Sequence, residues 1–286
     1  MSDVPHIFDR KARMLRRARA AKARAQSFLV LEAAAGVAER AGAANRTFRN
    51  ALELGSTDAA FGLLKPLAEN WTRAEFPENE ILDVPPQSFD LAVSALALHA
   101  INDLPGALIQ VRRALKPDGL FVAALFGGDT LKELRESLAS GEDEASGGVS
   151  PRVAPFADVR DLGGLLQRAG FNLPVADVEH TVVRYRAFET LIADLRDAGE
   201  TNILVNRPRT PLRRDALAAS LVHYKSRHAE EDGRLRATFD IAYLTGWTPH
   251  ESQQKPLRPG SAKARLSDAL GTIERKAGDA APVKRD

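Results

Sequence analysis

The segment from residue 88 to residue 126 constrains the fold more than any other part of the chain. Residues 88–94 and 120–126 are two apolar runs, and the second is continuous, as expected of a strand covered on both faces. Between the runs, Asp103 can cap a helix whose apolar residues recur at helical spacing. Strand, helix and strand in this order predict a right-handed parallel crossover, with residues 120–126 as a central strand.

Further strand and helix patterns alternate along the chain and predict an α/β fold. The expected architecture is a doubly wound, mainly parallel sheet that holds ligands at the carboxyl ends of its strands. We predict a basic helical segment over 1–48, a main domain over 49–271 and a disordered tail over 272–286. The main domain should carry a helical insertion at about 186–230, and residues 140–151, rich in Gly and Ser, should form a loop or lid.

Composition narrows the class of protein. The 286 residues carry a formal net charge of +2 and few aromatic side chains, which argues against a nucleic-acid partner. The chain has no cysteine, which excludes disulfides and thiolate chemistry. It also has no apolar run long enough to span a membrane and no secretory signal at its start, so we expect a cytoplasmic protein.

The basic residues between positions 10 and 24 have two interpretations. They can form the solvated face of a helix, which is the usual outcome for a run of like charges. They can alternatively dock the chain onto an acidic partner or make peripheral contact with an anionic membrane surface.

Several short motifs give the chain a family resemblance. Glu53-Leu54-Gly55, the segment from Ser88 to Leu91 and the turn at 115–120 together resemble class I S-adenosylmethionine-dependent methyltransferases. More specific strings resemble the mitochondrial complex I assembly factor 5 family, and they are Ile7-Phe8-Asp9-Arg10, Leu98-His99, Asn102-Asp103-Leu104-Pro105, Phe126-Gly127-Gly128-Asp129, Gly246-Trp247 and His250-Glu251-Ser252-Gln253.

The resemblance implies a methyltransferase-like protein that assists assembly of respiratory NADH dehydrogenase. It links the chain to arginine hydroxylation of a subunit rather than to methyl transfer, and more distantly to the carrier-protein methyltransferases of biotin synthesis. Because no transit peptide precedes the motifs, we expect a bacterial relative of the mitochondrial proteins.

The cofactor loop departs from the family pattern. Glu53 and Gly55 are present, but Thr57 and Ala59 replace the second and third glycines, and Asp58 adds a negative charge. The 26 residues from 55 to 80 are also too few for the two strands and two helices expected there, which need on the order of 30. We therefore predict a shortened first half and weak or absent S-adenosylmethionine binding. The ribose-binding acid has no clear counterpart except Glu75.

Candidate cofactor residues are Glu53, Gly55 and Ser94, which lie at or near predicted strand ends. His99 and Asp129 also follow predicted strands, where ligands bind, and are candidate catalytic residues. The competing interpretations are a packing histidine and a helix cap.

His250 and Glu251 are the other two catalytic candidates. They follow the last predicted strand, and with His99 and Asp129 they could converge on one cleft that captures an arginine-bearing protein segment. Nothing in the spacing of His250 and His99 specifically predicts a metal site. The alternative function is an active methyltransferase, or an arginine-modifying hydroxylase, that acts on a protein.

Overall fold

The computed structural model describes residues 6–22, 27–253 and 271. The chain divides into two compact units, Met1–His250 and Glu251–Asp286. The N-terminal helices belong to the first unit. The boundary after residue 48 and the end of the main domain at residue 271 remain predictions. The predicted tail at 272–286 lies outside the described residues.

The first unit contains helices and strands in alternation. Two short 3₁₀ helices lie between them, at Lys65–Leu67 and Leu98–Ala100. The helices are α1 Arg10–Lys22, α2 Phe28–Gly42, α3 Asp58–Leu64, α4 Leu104–Ala114, α5 Lys132–Ser146, α6 Val159–Arg168, α7 Phe188–Asp197 and α8 Arg214–His228. The strands are β1 Phe48–Leu54, β2 Ala68–Ala74, β3 Phe89–Ala95, β4 Leu115–Phe126, β5 Asn172–Tyr185 and β6 Leu235–Trp247. No described helix combines the length and the apolar character needed to cross a bilayer.

Within the described residues, six strands form one sheet in the order β2-β1-β3-β4-β6-β5. The first four strands are mutually parallel, whereas β6 runs antiparallel to both of its neighbours, β4 and β5. The strand containing residues 120–126 lies between β3 and β6, as predicted. The doubly wound, mainly parallel fold is therefore confirmed.

Helices cover both faces of this sheet and bury its alternating side chains. Helix α2 packs Leu29 and Val37 against Val93 and Val122 on one face. Helices α4 and α6 pack on the other face, where Leu108 and Leu166 belong to the same apolar cluster as Leu52, Phe121 and Leu244. Burial on both faces explains why β4 is continuously apolar.

The shortened first half is also confirmed. One helix, α3, and one strand, β2, stand where two of each were expected, and residues 75–88 then reach β3 without a further helix or strand. The missing unit therefore comes after β2, not at the loop that follows β1.

The prediction of a loop over 140–151 is wrong for its first half, because α5 continues to Ser146. Gly141 is buried where α5 meets α8, and a Cβ atom there would lie 2.2 Å from Ser220 Oγ and 2.4 Å from Ser220 N. The glycine that suggested a loop instead permits close packing of two helices.

We predict that Gly141→Ala lowers the free energy of unfolding by about 1–3 kcal/mol, because the added methyl group meets backbone atoms of α8 that cannot move independently. Gly62→Ala is the matched control, since Gly62 lies in α3 with no atom within 4 Å of the added Cβ. It should be neutral or stabilise the protein by up to about 1 kcal/mol. Urea unfolding of both variants is the measurement, and equal stability would contradict tight α5–α8 packing.

Candidate functional site

Helix α1 lies over the carboxyl ends of the strands and buries arginines there. Arg13 donates to the Leu96 carbonyl at 2.9 Å and to Glu200 Oε2 at 3.2 Å. Arg10 donates to the carbonyls of Ala100 and Phe76 at 3.1 and 2.7 Å. The interpretation of this basic run as a solvated face is therefore wrong for these two arginines.

A first cavity of about 750 Å³ opens at the carboxyl ends of β1 and β2, beneath α1. Its walls include Glu53, Gly55, Glu75, Arg17 and Arg73. This is the edge at which ligands bind in folds of this type. Two of the three predicted cofactor residues, Glu53 and Gly55, line it.

The acidic groups of the loop are neutralised by one arginine. Arg73 Nε donates to Glu53 Oε2 at 2.9 Å, and Arg73 Nη1 donates to Asp58 Oδ1 at 2.7 Å. Glu53 is buried and also accepts from the backbone N–H of Ser56. The extra negative charge predicted from Asp58 is therefore paired rather than directed into the cavity unopposed.

The replaced glycines do not strain the loop. Gly55 has φ +70°, and a Cβ there would lie 3.0 Å from the Ala97 Cβ, so this position requires glycine. Thr57 has φ −69°, which any residue adopts, and its hydroxyl accepts from Ala60 N to cap α3. Ala59 lies within the first turn of the same helix. The backbone here needs only the one glycine that the chain retains.

Glu75 directly follows β2 and lines the first cavity. The last residue of β2, Ala74, pairs with Leu54 at the end of β1, so Glu75 lies at the carboxyl end of the second parallel strand. The sequence pattern could not place Glu75 there, because β2 lacks an apolar run that would mark its end.

Arg17 contributes a buried charge to the first cavity. Its Nη1 atom is buried and has no hydrogen-bond partner among the described residues. That atom lies 3.9 Å from the position of a Cβ on Gly55. Burial, and then the neighbouring charge of Arg13, lower the pKa of the Arg17 guanidinium. A buried guanidinium donor without a partner is a good match for a carboxylate of a bound molecule.

A second cavity of about 430 Å³ lies between α5, α7 and the ends of β3 and β4. Its walls are mostly apolar, and the charged or polar side chains among them include His99, Arg152, Arg196 and Glu200. The ring of His99 lies 5.0 Å from that of Phe126 and 6.0 Å from that of Phe156, measured between centroids.

His99 and Glu200 form a buried pair beside Arg13. His99 Nε2 lies 3.0 Å from Glu200 Oε2, while His99 Nδ1 is buried without a hydrogen-bond partner in the described chain. Burial opposes ionisation of Glu200, but the charge of Arg13 and the hydrogen bond from His99 outweigh it and lower its pKa to about 2. Burial, together with Arg13, lowers the pKa of His99. The pair therefore presents an anion and an uncharged imidazole at neutral pH.

Ser94 and Asp129 lie near the predicted edge but line neither cavity. Ser94 is fully buried, and its hydroxyl donates to the Leu54 carbonyl at 2.9 Å. Asp129 is exposed and accepts from Lys132 Nζ at 2.7 Å. Its side chain does not cap α5, because that helix begins at Lys132 after Leu131.

His250 does not meet the other candidates. Strand β6 is antiparallel to β4, and its last residue, Trp247, pairs with Leu120 near the amino end of the parallel strands. The backbone N–H of Thr248 then donates to the Gly119 carbonyl at 2.8 Å, so the chain stays at this edge of the sheet. Exposed His250 thus lies at the edge opposite His99, and the prediction of one cleft that includes it is wrong. Glu251 is exposed and opens the second unit.

Residues 24–174 match the family described as methyltransferase domain, and the chain belongs to that family. It is similar to the arginine-hydroxylase NDUFAF5, mitochondrial, of Danio rerio, with 44% identity over 191 residues, or 67% of this chain and 59% of that protein. The chain thus spans about three fifths of the length of this relative.

A malonyl-[acyl-carrier protein] O-methyltransferase of Methylovorus is 31% identical over 275 residues, which cover 92% of this chain and 86% of that protein. The crystal structure of the YcgJ protein from Bacillus subtilis superposes with a TM-score of 0.51 at 12% identity. That superposition covers 75% of this chain and 98% of YcgJ, and it supports the fold alone.

We predict that Glu200→Gln lowers the free energy of unfolding by about 3 kcal/mol at pH 7, because it leaves the buried Arg13 charge without its anion. The Glu200 pKa falls from an ordinary 4.5 to about 2 on folding. Its stabilisation is therefore fully present above pH 4.5 and is lost as the pH falls towards 2. The gap between wild type and variant should narrow over that interval in urea unfolding. Exposed Glu231→Gln is the control, and a pH-independent gap would contradict an ionised Glu200.

Proposed function

We propose that the chain binds S-adenosylmethionine in the first cavity and an arginine-bearing protein segment in the second, in support of respiratory NADH dehydrogenase assembly. The observation that carries the proposal is the buried Nη1 of Arg17, which has no hydrogen-bond partner among the described residues and lies beside Gly55, the loop position that requires glycine. The sequence alone favoured weak or absent cofactor binding, but the unstrained loop and the position of Glu75 support retained binding.

The first cavity offers a hydrogen-bond acceptor for the ribose of the cofactor and a hydrogen-bond donor for its carboxylate. Gly55 allows the backbone to approach a ligand closely, and the Glu75 carboxylate can accept from ribose hydroxyls. The Arg17 guanidinium can donate to the carboxylate of the methionine moiety. When bound, S-adenosylmethionine supplies an activated methyl group.

An arginine side chain suits the second cavity on two physical grounds. Glu200 is an anion in a cavity whose walls are mostly apolar, and the rings of Phe126 and Phe156, whose centroids are 5.8 Å apart, offer faces on which a guanidinium can stack. The name of the Danio rerio relative, an arginine hydroxylase, agrees with this substrate class.

A carrier-protein O-methyltransferase is the second candidate function. The Methylovorus relative aligns over most of its own length, and Arg152 and Arg196 in the second cavity suit a substrate carboxylate. This function would place a carboxylate, rather than a guanidinium, in the second cavity.

We predict that calorimetric titration with S-adenosylmethionine, and with its demethylated product S-adenosylhomocysteine, gives saturable binding in the micromolar range. Arg17→Gln should weaken binding at least about tenfold, since a hydrogen bond to a charged group contributes about 1.5–3 kcal/mol. Arg19→Gln is the matched control, because Arg19 is an exposed arginine of the same helix. Absence of binding by the wild-type chain would refute the cofactor part of the proposal.

The substrate class is tested in cells from which the gene has been deleted. We predict less assembled NADH dehydrogenase on native gels, and one subunit arginine that lacks a modification seen by mass spectrometry in the parent cells. Normal assembly together with an unmethylated malonyl carrier protein would instead establish the second candidate. Reintroduced wild-type gene is the control for both readouts.

A further inference from the structure

Three potential metal ligands converge outside both cavities, on the surface shared by α5 and α8. Glu136 projects from α5, and His223 and His228 project from the end of α8. One ligand atom from each side chain lies within 4.8 Å of the other two. His228 Nε2 is 3.3 Å from Glu136 Oε2, and His223 Nε2 is 3.9 Å from Glu136 Oε1.

We propose that Glu136, His223 and His228 form a Zn²⁺ site. Two imidazoles and one carboxylate are a donor set that zinc accepts, with a fourth position left for water. Zinc–ligand bonds of about 2.0–2.1 Å place tetrahedral ligand atoms about 3.3–3.4 Å apart. The distance between His228 and Glu136 already has this value, and the other separations require only small side-chain rotations.

The surroundings of the two imidazoles support a metal rather than a simple ion pair. His228 Nε2 is buried and has no hydrogen-bond partner among the described residues, although an acceptor lies near it. His223 Nδ1 lies 3.2 Å from Ser137 Oγ, a contact that orients the ring with Nε2 towards Glu136. Metal-binding histidines are commonly oriented by a hydrogen bond from the second ring nitrogen.

Two of the positive charges near the cluster lie against acids outside it. Arg236 lies 3.5 Å from Glu133 Oε1, and Lys132 Nζ donates to Asp129. These acids offset part of the positive charge around the three ligands, and Arg227 lines the same surface. Because zinc binds thiolates, imidazoles and carboxylates, the absence of cysteine from this chain leaves histidine and carboxylate as its available ligands.

A bound metal at this position would join α8, which lies within the predicted helical insertion, to α5. Both helices also contribute to the second cavity, through Leu134 and Leu138 on α5 and Leu217 on α8. The site would consequently brace one wall of that cavity from outside. It rests on the geometry of the cluster and not on the proposed substrate.

The test uses the full chain, stripped of metal with a chelator and titrated with Zn²⁺ against a chromophoric competitor. We expect one equivalent bound with submicromolar affinity and a rise in the melting temperature. His223→Asn and His228→Asn should each weaken binding more than about a hundredfold, which exceeds the loss expected for a residue that only orients a metal ligand. The matched control is His6→Asn, since His6 is exposed and outside the cluster.

A conservative variant separates metal binding from folding. The side chain of Glu136 is half exposed, so the Glu136→Gln variant should fold normally by circular dichroism. It should nevertheless bind Zn²⁺ as weakly as the two histidine variants. Wild-type chain that binds no stoichiometric Zn²⁺ would overturn the site. Binding that survives in His223→Asn and His228→Asn would overturn it equally, because the ion would then lie elsewhere.

Discussion

The guanidinium of Arg13 is the interaction on which the arrangement of the site depends. It donates to the Leu96 carbonyl and to Glu200, and its Nη1 lies 3.4 Å from His99 Nε2, so it joins α1 to the end of β3 and to the segment after α7. A buried charge is costly unless it is paired and hydrogen-bonded. Because these partners satisfy Arg13 together, α1 is held over the strand ends, and the first cavity acquires its cover.

The sheet could be predicted because its signals are local. The apolar runs of β3 and β4 and the Asp103 cap of α4 each depend on a few consecutive residues, and the cap forms as expected, with Asp103 accepting from Gly106 N at 2.8 Å. The burial of Arg10 and Arg13 could not be predicted in the same way. A run of arginines looks identical in sequence whether its partners are water or carbonyl groups far along the chain.

The site was harder to predict than the fold for related physical reasons. The sequence pattern indicated that Thr57 is unfavourable because it replaces a glycine of the loop. A side chain is strained there only if φ is positive, and the φ of Thr57 is ordinary. His250 appeared to belong with His99 because both follow strands, yet an antiparallel strand ends at the opposite edge of the sheet. Glu136 and His223 are 87 residues apart, and only packing of α5 on α8 brings them together.

Strand β2 lies at one edge of the sheet that the described residues form, and this position has a consequence for association between copies of the chain. Strand β2 is the outermost strand on its side of the described sheet, and such a strand offers unpaired backbone groups to any neighbouring chain. Its sequence, Ala-Glu-Asn-Trp-Thr-Arg-Ala, presents exposed Glu69 and Arg73 rather than an apolar row. Charged side chains on this edge strand oppose pairing with a second copy of the chain. The same strand that ends the shortened half of the sheet is therefore protected against edge-to-edge aggregation.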